Sequence, residues 1–410
     1  MSPILALRSY PSRTISIPGT SQAQAIGYSS NISKPAAYSP DPTPELQLLC
    51  ENHRVQLQCH GIIVLKTPIG TDEYCKNHLD DVQVLLETAV EQLSKIKPHN
   101  AIRLLRFCFI PRLQYLSRTV PPRVFEPHAQ RFDNLVRSTF LKIAGIRDEE
   151  MTPRADTLLK ARFCQGGLAF RSLLLISPLA YFSSLVASHD GIVRNNPHFT
   201  LDLASSNPSP ASRLVLEAHR RVSMAFNNFQ DLPSSVADLL KDVFPSDPKQ
   251  ALAFYTNLKR DNESSLPFKL QRSLTQCMEK YAFDPIIYEG SDRELALLNS
   301  TATSEASLWL HALPSNPRDR LSDDELRTGY RLRLGIACAP SHPTSCAACQ
   351  RDFDTFGDHA LTCKTTARWA TTHNTISDAI TRFLKRNDIF VQTEFTVAGT
   401  AQLVAMTTGL

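Results

Sequence analysis

Residues 346–363 read Cys346-Ala-Ala-Cys349-Gln-Arg-Asp-Phe-Asp-Thr-Phe-Gly-Asp-His359-Ala-Leu-Thr-Cys363, a C-x2-C-x9-H-x3-C spacing. Two Cys separated by two residues can turn both sulfurs toward one point, and His359 and Cys363, four apart, share one face of a helical turn. Three thiolates and an imidazole make a closed tetrahedral set, which suits structural Zn2+ and leaves no position for a substrate water. The competing reading is unrelated buried Cys near a surface His. Against it, the other Cys of the chain are thinly scattered, while these four ligands fall within eighteen residues. The expectation is one Zn2+ held by Cys346, Cys349, His359 and Cys363, with His373 as the rival fourth ligand.

Working outward, Gly357-Asp358-His359-Ala360-Leu361-Thr362-Cys363, followed by His373-Asn374, resembles the Cys-Cys-His-Cys segment of non-LTR retrotransposon polyproteins. In these a reverse transcriptase is followed by a zinc knuckle and a restriction-like endonuclease. Pro68-Ile69-Gly70-Thr71-Asp72 is similar to the family's G-x-P-I-G-[ST]-D passage from palm to thumb, though Lys66-Thr67 departs from it. Leu104-Leu105-Arg106, Cys108, Pro111-Arg112, Tyr115-Leu116, Arg118 and Pro121-Pro122 are similar to the post-palm run L-L-R-x-C-x-x-P-R-x-x-Y-L-x-R-x-x-P-P. Gly166-Gly167-Leu168-Ala169-Phe170-Arg171-Ser172 looks like the family's G-G-L-G-[LF]-R-S turn, with Ala169 in place of Gly. Leu308–Pro314 and Tyr330–Gly335 resemble the lead-in to the knuckle, so the resemblance spans roughly 60–400.

The resemblance implies a thumb, a helical linker, a knuckle and the start of an endonuclease. The family's polymerase needs an aromatic-x-Asp-Asp turn and a third Asp to hold paired metals. Asp80-Asp81 and Asp323-Asp324 each lack the aromatic two positions before them, and no Pro-Asp follows the knuckle. The expectation is a fragment truncated at both ends, a remnant of an RNA-directed DNA polymerase/endonuclease that is itself no enzyme. Two alternatives stand beside it. One is an enzyme subunit completed in trans by a palm-bearing partner; the other is a helical interaction module with a structural zinc.

Composition sets the outer bounds. A chain of 410 residues with 42% hydrophobic and 20% charged residues has the make-up of an ordinary globular protein. Its net charge of +4 does not by itself imply nucleic acid, so local basicity matters more. Residues 97–137 hold eight Lys/Arg against two acids, a net +6, while 346–391 reach only +1. Arg103 and Arg106, one turn apart, could grip a phosphate backbone of RNA or DNA together with Arg112 and Arg118, and Tyr115 could stack a base. The competing reading makes these Arg solvated helix faces and Tyr115 a core residue. Ten Cys with no regular framework point to a reducing compartment, intracellular and either nuclear or cytoplasmic, and no apolar run is long enough to span a membrane.

The fold expected is mainly α: a helical thumb and linker bundle, then a small zinc knuckle with an incomplete α/β stub. Residues 1–41, Ser- and Pro-rich, read as a disordered leader; 42–195 as palm end and thumb; 196–335 as linker; 336–410 as knuckle and stub. Ile62-Ile63-Val64-Leu65 reads as a short strand ending at Pro68-Ile69-Gly70. Leu79, Val82, Leu86, Ala89 and Leu93 mark one amphipathic helix, and Ala129, Phe132, Val136, Phe140 and Ile143 another that stops at Gly145. Pro111 should kink its helix, Gly166-Gly167 should form a tight turn, and a helix over 178–189 should end near Asp190-Gly191. Ser322 before three acids reads as a helix N-cap. A helix over 373–386 and a strand carrying Ile389, Val391, Thr393, Phe395 and Val397 should follow the knuckle.

Overall fold

The computed structural model describes residues 36–227, 247–250, 266–311 except 304, 321–338, 345–363 except 347, and scattered positions between 374 and 385. Most of the leader, the strand after the knuckle, His373 and most of the helix around it lie outside the described residues. The architecture is mainly α with two small two-stranded sheets. The chain divides into two compact units, Met1–Ile336 and Ala337–Leu410.

The first unit opens with strand β1 (Ala36–Tyr38), helix α1 (Pro44–Asn52) and strand β2 (Gln56–Gln58), which pairs parallel with β1. The end of the expected leader is therefore ordered. The apolar run after it is a hairpin, where the sequence reading had a single strand. Strand β3 (Gly61–Val64) turns back at Leu65-Lys66 into antiparallel β4 (Thr67–Gly70). Both turn residues have positive φ, 50° and 65°, the geometry a two-residue hairpin needs and normally takes from Asn-Gly. Neither residue carries that signal, which is why the turn was illegible.

Thr71 caps helix α2 (Asp72–Leu93), which buries Leu79, Leu86 and Leu93 with Val82 and Ala89 packed alongside. Pro98 opens α3 (Pro98–Leu104), which runs through a π turn at Leu105–Phe109 into α4 (Ile110–Leu116). Pro111 has no amide to donate and would crowd the turn before it; the widened turn, closed by Ile110 N–H to Leu105 O, absorbs the misfit. Helix α5 (Pro122–Ala144) buries Ala129, Phe132, Val136, Phe140 and Ile143 and stops at Gly145 with φ 64°. Its Asp133 carboxylate accepts from Ser172 Oγ and from the Leu173 and Leu174 amides, anchoring the start of the helix two elements later.

Helix α6 (Pro153–Lys160) precedes the Gly166-Gly167 turn, and α7 (Leu173–Asn195) follows it. Leu168, Ala169 and Phe170 amides donate to the Leu158, Ala161 and Leu159 carbonyls, so this turn lies directly on the end of α6. A Cβ on Gly167 would sit 2.1 Å from Ala161 O. Ala169, by contrast, is held at φ 56°, where an L side chain is strained. Two neighbouring substitutions should therefore act in opposite directions. Gly167→Ala is expected to lose about 3 kcal/mol through overpacking against backbone. Ala169→Gly is expected to gain roughly 0.5–1 kcal/mol, less what the unfolded chain recovers in freedom. Urea unfolding of both variants checks this, and a destabilised Ala169→Gly would sink the strain argument.

Gly191 does not end α7. Nothing lies within 4 Å of a Cβ added there, and the helix runs on to its cap at Asn196. Helices α8 (Pro210–Asn227) and α9 (Leu266–Tyr288) then pack on α7, with Phe182, Val186, Val222, Leu274 and Met278 in a second cluster. Helices α10 (Asp292–Thr301) and α11 (Asp323–Leu334) return to the main core. Leu298, Leu326, Tyr330 and Leu334 share it with Leu79, Phe125 and Phe140. The regions 42–195 and 196–335 thus share both clusters, because later helices cover apolar faces of the earlier ones. Ser322 caps α11 in a reciprocal box with Glu325.

Candidate metal centre and basic face

The second unit is built around its Cys/His set. The Cys346 amide donates to Arg351 O and the Gln350 amide to Cys346 O, closing a tight loop with Gln350 at φ 60°. Ser345 bridges Asp352 across it. Asp354 accepts from the Phe356, Asp358 and His359 amides and so fixes the start of the short helix α12 (Asp358–Thr362). That places His359 in the first turn and Cys363 at the C-cap, joined by the Cys363 amide to His359 O.

Cys346 Sγ and Cys363 Sγ lie 3.9 Å apart, and Cys349 Sγ lies 3.2 Å from His359 Nε2. All four ligand atoms fall within 4.8 Å of one another and could hold a metal ion. A tetrahedral site with thiolate and imidazole bonds has edges of roughly 3.5–3.8 Å, so shifts of about 1 Å or less, the Cys349–His359 edge lengthening and the longer ones shortening, would bring this arrangement to coordination. The Cys349 and Ala348 amides hold the Cys346 thiol below its ordinary value. Among the described residues of this unit, Cys346 and Cys363 are the only buried apolar side chains.

The basic window splits up in space. Arg123 bonds Asp72 at 2.7 Å and Glu217 at 2.6 Å, Arg131 bonds Glu87 at 2.8 Å, and Arg137 bonds Asp156 at 2.7 Å and also Asp148. These acids come from other elements, which a window count cannot see. Arg106 is only 6% exposed, so it does not lie with Arg103 on an open surface as the sequence reading had it. Arg103 is half-buried, Arg112 exposed and Arg118 half-buried. Tyr115 is 44% exposed and is no core residue. Arg112, Tyr115 and Arg118, at three-residue steps on α4 and just beyond it, remain as a basic face with an available ring. Phe107, 51% exposed, is a second ring on the same helical run that the sequence reading passed over.

The paired acids are placed differently from a metal-holding turn. Asp80 and Asp81 lie on α2, where Asp80 meets His128 Nε2 at 3.1 Å, and Asp323 and Asp324 form the exposed first turn of α11. The lead-in Tyr330-Arg331-Leu332-Arg333 is structural in a way its sequence did not announce. Arg331 bonds Glu150 and the Gly145 carbonyl, and Tyr330 packs against Phe140 and Trp309. No helix among the described residues is long and apolar enough to cross a membrane. Compared with family models, with curated proteins and with solved structures, the chain matches none.

Proposed function

We propose that this chain is a retrotransposon-derived, reverse-transcriptase-like fragment that holds one structural Zn2+ and binds RNA or DNA without polymerase or nuclease chemistry of its own. The observation that carries the reading is the convergence of Cys346, Cys349, His359 and Cys363 at metal-ligand spacing. Three thiolates and an imidazole favour Zn2+ over hard cations, and a fully protein-ligated set is a structural one. Further support comes from residue 169: the family resemblance puts Gly there, and the backbone of this Ala has positive φ. Nucleic acid would meet Arg112, Tyr115 and Arg118, with the backbone phosphates neutralised by the Arg and a base on the ring.

A second reading, a helical interaction module with a structural zinc, is favoured by the ion pairs that occupy Arg123, Arg131 and Arg137. Binding of RNA and duplex DNA between low and physiological salt separates the two. Arg112→Gln with Arg118→Gln should flatten the log–log salt slope by roughly 1.5, from about 0.7–0.9 per phosphate contact. Tyr115→Ala should weaken single-strand binding by about 1–3 kcal/mol. Affinity and slope untouched by all three changes would put the interaction module in front.

A further inference from the structure

We propose that Arg106 is the centre of an internal anion site for a phosphate-class oxyanion, either free phosphate or the end of a phosphomonoester. The proposal depends on neither the zinc reading nor the nucleic-acid face.

All three guanidinium nitrogens of Arg106 are buried with no hydrogen-bond partner, and the same holds for Arg103 Nε and His99 Nε2. Buried donors are ordinarily satisfied, and a buried cation ordinarily has a counter-charge. Four guanidinium nitrogens, and one imidazole nitrogen that donates in its Nε2–H tautomer, thus lie without partners on three side chains spaced four and three residues apart on one helical run. The aromatic packing explains the orientation. Arg106 Cζ lies 4.8 Å from the Phe170 ring centroid and 5.1 Å from that of Phe163. Cation–π contact fixes the position of the guanidinium but accepts none of its N–H groups in a hydrogen bond, leaving those donors to a ligand.

The charges around the site have one sign. Burial holds Arg106 down to about 10; Tyr330 opposes it, and the neighbouring Arg333 and Arg103 add smaller downward effects. His99 and His311 are likewise pushed down, by burial first and then by Arg103 and Arg106. Among the described residues no carboxylate bears on any of these groups. Arg333 cannot serve as a donor here, since it bonds the Gly167, Ala306 and Thr301 carbonyls. Arg106 therefore carries a buried charge with no hydrogen-bond partner, and the half-buried Arg103 adds a second positive charge beside it. A carboxylate would neutralise one and offer two oxygens. A phosphate dianion neutralises both, and its tetrahedral oxygens can meet three side chains at once. Arg103 and His99 are half-buried, so the cluster reaches the surface on their side.

The test uses the full chain. Thermal unfolding and equilibrium dialysis are run with inorganic phosphate, and with chloride at matched ionic strength as the control. A five-heavy-atom ligand with an affinity on the order of 0.1 mM lies well inside the ligand-efficiency ceiling. At 10 mM phosphate the midpoint should then rise by about 5 °C. Arg106→Met should abolish the shift, and Arg103→Gln and His99→Gln should each weaken phosphate roughly tenfold. A nucleoside monophosphate against its nucleoside decides the source. Equal binding of phosphate and monoester means the free ion, and tighter monoester binding means a terminal phosphate. No phosphate-specific shift in the wild-type chain overturns the proposal, and so does a shift that survives the substitutions. If Arg106→Met does not fold, the Arg103→Gln and His99→Gln affinities decide, and unchanged values overturn it.

Discussion

Stripping the proposed Zn2+ from the reduced protein with a chelator is expected to unfold the loop and short helix that carry Cys346, Cys349, His359 and Cys363, while the described helices of the first unit keep their structure. The reason is that the described residues of the second unit offer no alternative core. Among the described residues of the second unit only Cys346 and Cys363 are buried apolar groups, at 4% and 8% exposure. A segment that small cannot offset its chain entropy by burial, and a bound metal has to supply the difference. Structural zinc sites contribute on the order of 10 kcal/mol of apparent binding free energy, which here would also be local folding free energy. Amide hydrogen exchange should show protection at Cys346, Gln350 and Cys363 collapsing on chelation, because those amides close the loop and the short helix. Cys349→Ser with His359→Ala should reproduce the loss and abolish one-to-one zinc by elemental analysis. Zinc retained in that double variant would assign the metal elsewhere.

Replacing Arg333 with Met is expected to destabilise the first unit by about 3–5 kcal/mol, the cost of leaving three buried carbonyls without the donor they share. Arg333 is 3% exposed. Its Nε donates to Gly167 O at 3.1 Å, Nη1 to Ala306 O at 3.0 Å and Nη2 to Thr301 O at 3.1 Å. It thereby ties α11 to the Gly166-Gly167 turn, to α10 and to the segment after it. Met fills the stem volume but leaves three carbonyls without a donor, and an unpaired buried acceptor costs about 1–3 kcal/mol. Arg333→Lys should rescue little, because one ammonium on a single stem cannot serve three carbonyls in a fixed fork. Urea unfolding should show a lower midpoint with an unchanged slope. A loss below about 1 kcal/mol would mean that the network is replaceable by water.

What the sequence determined by itself was local. The apolar spacing of Leu79, Leu86 and Leu93, and of Phe132, Val136 and Phe140, specified two buried helix faces, since a 3.6-residue period leaves only one side to bury. Ser322 followed by Glu325 specified a helix start, because both hydrogen bonds form within four residues. The Cys/His cluster that could hold a metal was legible for the same reason. Its ligands sit in two short pairs, and only one loop of intervening chain has to bring the pairs together. Tertiary structure decided everything that depends on a distant partner. Arg123, Arg131 and Arg137 count as positive in any sequence window, yet Asp72, Glu87 and Asp156 arrive from other helices to neutralise them. Arg106 and Arg333 carry the same side chain, but one is enclosed by Phe163 and Phe170 with its donors unspent while the other is tied to three carbonyls. Nothing within a few residues of either Arg encodes that difference, because burial and partner choice are set by which helix faces meet when the core closes.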